Sequence, residues 1–221
     1  MNVLGLDTST AASSACVLRS DDQAFEVVPP PERVTGAPAH ARELMPAIVR
    51  CLGDAGVGFG DLDAIAVGVG PGAFTGLRIG VSTARALAHA NETELRPVSS
   101  LAALAAASPE ALSLPLIDAK RGEVFAALFD HERRVWPAFA TGPGDLAGRL
   151  GEAGVDPLAI GDGSVRFMEV LEAAGVRVAP AGSGAHVVRG LSICRLAAGA
   201  PPAPPDAVLP DYLRLPDAKP R

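Results

Sequence analysis

Apolar positions follow two different spacings along the chain. Short apolar runs bounded by turn residues occupy residues 2–7, 14–19 and 24–28 and predict strands. The polar Thr8-Ser9-Thr10 joins the first two into a hairpin, and Pro29-Pro30-Pro31 ends the third because proline cannot continue a ladder. Over residues 40–55 the spacing becomes helical, with Leu44, Ile48, Cys51, Leu52 and Ala55 on one stripe. Met45 and Val49 add a second stripe, which either covers a neighbour or is explained by deep burial. Pro46 must lie in the first turn of this helix or kink it.

Residues 63–68 read as a buried strand leading into Gly70-Pro71-Gly72-Ala73-Phe74-Thr75-Gly76. A helix is predicted from about residue 77 to 90, a strand over 95–98, and a helix through 107 with Ser99-Ser100 as its N-cap. This order indicates an α/β domain with a mixed sheet. A second unit restarts in the same way. Strands over 114–118 and 123–129 form a hairpin with Asp118 where Asp7 stood, followed by helices over 143–153, 164–174 and 185–198 and a short strand over 158–160. Residues 200–205, four prolines in six, form a rigid connector. Two unequal lobes are the expected plan.

Composition narrows the function. The 221 residues are 48% hydrophobic and 20% charged, with a net charge of −6, so the chain lacks the basic stripe that grips a nucleic-acid backbone. With 4% aromatic residues there is also little material for base stacking. Lys120 and Lys219 are the only lysines, which leaves Lys120 for any mechanism needing a mid-chain amine. The opening residues lack a basic n-region, Asp7 interrupts the first apolar run, and no stretch reaches membrane-span length. A soluble, cytoplasmic chain without membrane contact is expected. Cys16, Cys51 and Cys194 are odd in number and far apart, which predicts reduced, buried thiols.

Two segments could carry chemistry. The glycine segment between strand and helix can cradle a phosphate on unpaired helix N–H groups, or it can be a tight structural turn. It is not a Walker A loop, because Leu77 follows Gly76 where a lysine is needed, and Thr75 stands where a dinucleotide fingerprint has its third glycine. Asp7-Thr8-Ser9-Thr10 can hold a hydrated divalent ion or a phosphate, or form an Asx turn. Arg78 is the only cation beside the glycine segment. The candidate nucleotide-binding set is thus Asp7, Thr8, Ser9, Gly70, Gly72, Thr75, Gly76 and Arg78. No two of His40, His89, His131 and His186 are spaced to share a helix face, and no G-x-S-x-G is present, which argues against a self-contained metalloenzyme or hydrolase.

Leu4-Gly5-Leu6-Asp7-Thr8-Ser9, His40, the segment from Gly70 to Gly80, Asp118-Ala119-Lys120-Arg121-Gly122-Glu123-Val124 and Pro210-x-Tyr212-Leu213-Arg214 together resemble the TsaB (YeaZ) family. That family is the dimerisation subunit of the bacterial machinery placing threonylcarbamoyl on adenosine 37 of tRNA; its members usually have Ser where this chain has Ala73. The resemblance implies an α/β fold of the actin-like ATPase (ASKHA, ribonuclease-H-like) superfamily, its two unequal lobes each built on a mixed sheet with flanking helices. It divides the chain into an N-terminal lobe over 1–100, with the tail 206–221 packing back on it, and a degenerate second lobe over 101–205.

It also implies a non-catalytic scaffold with no catalytic residue, no metal and no required cofactor, although ATP or ADP with Mg fits the superfamily. The metal-binding histidines of the catalytic relative TsaD align with Ser100 and Leu104, neither of which can replace an imidazole. Implied partners are TsaD, the ATPase TsaE and, for the free chain, a second copy; tRNA is met only indirectly. The face for self-association and TsaD docking is expected on His40, Leu44, Met45, Ile48, Val49 and Leu52 of the first helix and Val81 and Arg85 of the next. The alternatives are an active ATPase or kinase of the superfamily and a glycoprotease-like metallopeptidase.

Overall fold

The computed structural model describes residues 1–213, and the expected tail contacts of residues 214–221 lie outside it. Strand β1 (Val3–Asp7) pairs antiparallel with β2 (Ser14–Leu18), which pairs with β3 (Ala24–Val27). Helix α1 (His40–Ala55) ends on Gly56 in the left-handed conformation that glycine adopts without penalty, and it leads to β4 (Ala64–Gly70), parallel to β1. Helix α2 (Phe74–Ala90), strand β5 (Glu94–Ser99) parallel to β4, and helix α3 (Ser100–Ala106) follow. The first sheet therefore runs β3-β2-β1-β4-β5.

The second sheet repeats this layout. Strands β6 (Leu112–Lys120), β7 (Glu123–Asp130) and β8 (Arg133–Thr141) form an antiparallel meander, and after α4 (Pro143–Ala153) the short β9 (Leu158–Ile160) lies parallel to β6. Its order, β8-β7-β6-β9, is that of β3-β2-β1-β4 with no counterpart of β5. Helices α5 (Asp162–Arg166), α6 (Met168–Ala173) and α7 (Gly190–Ala197) follow. The α/β plan of two mixed sheets with flanking helices is the one expected.

Alternation decides which face each side chain meets. In β1, Leu4 and Leu6 point to α1 and α2, joining Leu44, Ile48, Cys51, Leu52, Val81, Ile65 and Val67 in one core. Val3, with Cys16, Ala64 and Ala66, points the other way. There, α3 and α7 lie between the sheets and bring Leu101, Leu104, Ile193 and Ala197 against Ile117, Phe125 and Phe129 of the second. A sheet covered on both faces needs apolar residues at consecutive positions, hence the unbroken runs in β1 and β4. Leu114, Leu116, Leu128, Leu146, Leu150 and Leu171 form a third core beneath α4 and α6.

Several boundaries differ from the sequence reading. Pro46 lies in the second turn of α1, on its exposed side, and the helix continues through it. Helix α2 starts three residues earlier than predicted, so Phe74, Thr75 and Gly76 are its first turn. Strand β8 was not anticipated: Arg133, Arg134 and Pro137 break any alternating signal, and the strand accommodates them as an edge with register shifts near the proline. The predicted 164–174 helix is two, α5 and α6, broken at Phe167. The predicted 185–198 helix opens as a 3-10 turn at Gly184–His186, with α7 starting only at Gly190.

The chain's last described segment returns to the first sheet. Helix α7 packs so closely on β1 and β2 that a Cβ on Gly5 or Gly190 would strike the opposing chain. Ala203 then pairs antiparallel with Leu95, Val208 is buried beside the α1–α2 core, and the Asp211 N–H donates to the Val69 carbonyl at 2.7 Å. The three thiols are free and buried as expected, and desolvation pushes Cys51 to about 11 and Cys194 upward, so both stay protonated and unreactive.

Candidate functional site

The tip of the first hairpin and the glycine segment meet, as the candidate set requires, but they meet each other. Asp7, at the end of β1, is 1% exposed. One carboxylate oxygen accepts the Ser9 amide N–H at 2.8 Å and the Ser9 hydroxyl at 2.6 Å; the other accepts the Ser100 hydroxyl at 2.6 Å. Burial raises the Asp7 pKa, and the three donors oppose that shift. Sequence reasoning placed Ser100 at a helix start but did not connect it with Asp7, 93 residues away.

The glycines are small because the hairpin fills the space beside them. A Cβ on Gly72 would overlap the Ser9 carbonyl, one on Gly76 the Thr8 carbonyl, one on Gly80 the Thr8 hydroxyl, and one on Gly68 the Asp7 carboxylate. The contact is hydrogen-bonded as well: the Ala73 N–H donates to the Ser9 carbonyl at 2.7 Å, and the Thr8 hydroxyl donates to the Gly76 carbonyl at 2.8 Å. Gly70 takes a φ of 110°, open to glycine alone, where the strand turns. A phosphate seated against Gly72 and Gly76 would have to displace Thr8 and Ser9, so the segment fits a structural turn better than a nucleotide cradle.

Thr75 and Arg78 lie apart from this cluster, exposed on α2. The Arg78 guanidinium stacks over the Phe74 ring, 4.0 Å from its centroid, and its Nε donates to the Tyr212 hydroxyl at 3.2 Å. The Tyr212 ring in turn stacks on Phe74 at 5.2 Å. Arg78 is therefore engaged with the tail and is not a clamp beside Asp7.

The expected docking face also divides. His40, Leu44, Ile48, Leu52 and Val81 are at most 5% exposed and belong to the interior, so they offer another protein almost no surface of their own. His40 Nδ1 lies 2.8 Å from the Ser13 hydroxyl, and burial lowers its pKa, so it packs as a neutral imidazole. Met45 at 40% and Val49 at 56% are exposed, and Arg85 is partly so. The second apolar stripe of α1 is thus an outward-facing one.

The second hairpin holds a related cluster that sequence reading found only in part. Left-handed conformations at Lys120, Arg121 and Gly122 turn the hairpin, and the Asp118 carboxylate accepts the Lys120 amide at 2.8 Å and the Lys120 ammonium at 2.7 Å. Arg166 of α5 approaches it at 3.5 Å. Asp162, unremarked in the sequence, accepts the Asp118 N–H at 3.2 Å, and desolvation pushes it up to about 7. Asp118, Lys120, Asp162 and Arg166, with Ala11 and Val34, Thr35 and Gly36 ahead of α1, line a cavity of about 50 Å³, too small for a nucleotide. Among the described residues, no three His, Cys, Asp or Glu side chains converge as metal ligands; Ser100 is bonded to Asp7, and Leu104 is buried between the sheets.

Residues 30–141 match the family model described as TsaD, tRNA N6-adenosine threonylcarbamoyltransferase. Over its length the chain is 38% identical to an uncharacterized protein of Mycobacterium tuberculosis, the match covering 99% of this chain and 94% of that one. It is 30% identical to the tRNA threonylcarbamoyladenosine biosynthesis protein TsaB of Bacillus subtilis, with 99% and 96% covered. Among solved structures, YeaZ from Pseudomonas aeruginosa superposes with a TM-score of 0.79 at 29% identity, covering 96% of this chain and 99% of that one.

Proposed function

The chain belongs to the TsaB (YeaZ) family, and from that premise we propose that it is a non-catalytic accessory subunit in the biosynthesis of threonylcarbamoyladenosine in tRNA. Its fold is the actin-like α/β arrangement of two lobes. The observation that carries the reading is the fate of the residues that would bind nucleotide. Asp7 is buried with three donors from its own chain, Thr8 and Ser9 fill the glycine segment, and Arg78 is held by Phe74 and Tyr212. Phosphoryl transfer needs a metal-holding carboxylate open to substrate and a cation over the phosphates. A chain that uses both groups internally suits a scaffold that needs no cofactor of its own.

In this role the exposed face of α1, with Met45 and Val49, docks the TsaD catalytic subunit, TsaE supplies ATP turnover, and the partners supply the contact with tRNA. The setting is the cytoplasm; no helix of the described residues is long and apolar enough to cross a membrane.

The test is reconstitution with TsaD and TsaE of the same organism. Modification of tRNA is expected only when this chain is present, and Val49→Glu is expected to reduce it without changing the melting temperature of the isolated chain. Modification that proceeds equally well without the chain, or ATP turnover by the chain alone, overturns the reading.

A further inference from the structure

A groove of about 430 Å³ runs between α2 and the returning tail. Val81 lies at its floor, Leu209, Pro210 and Tyr212 form the far wall, and Arg78 and Arg85 stand on the α2 side. We infer that this groove receives an acidic, aliphatic segment of the partner subunit, so that the C-terminal tail forms half of the docking surface. The inference rests on the accessory-subunit reading and adds the chemistry of the partner.

Charge carries the argument. The chain as a whole is acidic, at −6, yet the described residues lining this groove include two arginines and no carboxylate, and α2 contains no Asp or Glu along its length. Arg85 makes no ion pair or hydrogen bond with any described residue, and Arg78, stacked over Phe74, gives a described side chain one hydrogen bond, from Nε to Tyr212. The walls are apolar: Leu209 is 63% exposed and Phe74, beside the groove, 40%. Carboxylates spaced among aliphatic side chains would satisfy both features, because complementary charge at a partly desolvated contact fixes register and speeds encounter. A second copy fits worse. In a two-fold contact the same patch faces itself, so two arginine-bearing patches would meet with no carboxylate among their described lining residues. RNA also fits worse, since the Tyr212 ring, the only aromatic side chain among the described residues lining the groove, is already stacked on Phe74.

Titration calorimetry of the full chain with TsaD from the same organism tests this. Arg85→Glu and the double variant Arg78→Glu/Arg85→Glu should weaken binding, the double about tenfold or more, and the salt dependence of wild-type binding should largely disappear. Arg85 has no ion pair or hydrogen bond to a described residue to lose, so Arg85→Glu carries the test if the double variant melts early. Unchanged binding by both variants while Val49→Glu weakens it overturns the groove assignment and leaves the docking reading standing. If Val49→Glu is also silent, the docking reading itself fails. Sedimentation of the free chain and a tRNA-binding assay cover the other occupants. Self-association or tRNA binding that is lost in the arginine variants, with TsaD binding intact, overturns the proposal.

Discussion

A glycine can be required by what it touches as much as by its backbone angles. Gly76 sits inside α2, where alanine has the better intrinsic propensity, because the Thr8 carbonyl occupies the place of a methyl group. Gly76→Ala should therefore destabilise the chain by about 2–3 kcal/mol despite the gain in propensity, as read by urea denaturation. The same substitution at Gly53, exposed in α1 with nothing near its missing Cβ, should be neutral or stabilising. The sequence showed a strand, turn and helix here but left phosphate loop and structural turn open, since both call for glycines in the same place. What decides between them is a contact 68 residues away in the chain, which no local pattern reports. Asp162 makes a second residue-level prediction. Its pKa rises from 3.8 to about 7 on folding, so between those values the folded chain keeps a proton that the unfolded chain releases. Stability must then fall as pH rises through this window, and Asp7 shifts in the same direction. Asp162→Asn keeps an acceptor for the Asp118 N–H, and should lose less stability than wild type between pH 5 and pH 8 in denaturant titrations.

Among whole elements, those with strong periodicity or sharp punctuation were legible, while edges and breaks were not. Strand β8 is the clearest case, because an edge strand exposed on much of its length has no need of alternation. The start of α7 was missed for another reason: its position is set by a side chain on a distant strand. Glu26 of β3 accepts the Leu191 N–H at 3.1 Å with one oxygen, and Arg189 Nε at 3.0 Å with the other. Its carboxylate is 7% exposed, so removing it strands a half-buried guanidinium and an open helix N–H. Glu26→Ala is expected to cost about 2–4 kcal/mol. By contrast, Glu94→Ala breaks an ion pair whose acid is 50% exposed and leaves Arg96 its bonds to the Ala197 and Ala200 carbonyls. That change should cost less than about 1 kcal/mol, and thermal melts of the two variants will separate the cases.

For the whole molecule, the restarted hairpin made a second, similarly begun unit legible, and the matching strand orders of the two sheets give that likeness a physical form. The way the lobes are joined was not legible, because small, evenly apolar helices such as α3 and α7 look alike whether they cover one sheet or lie between two. In the structure they share one core with both sheets. Unfolding should accordingly be a single cooperative transition. Trp136, the only tryptophan, stands on β8 and reports the second lobe, whereas far-ultraviolet circular dichroism reports both. Coincident midpoints are expected, and separated ones would show that the shared core does not couple the lobes.

The return of α7 and residues 203–213 to the first sheet also sets an order of events on the ribosome. The strands of both sheets have all emerged once β9 is made, but α7, which packs on β1, β2 and β4, comes later. The first sheet is made earliest and waits longest for this cover, with Val3, Cys16, Ala64 and Ala66 lacking α7 until residue 197 is synthesised. A nascent chain halted before α7 thus presents chaperones with an apolar sheet face that lacks part of its cover.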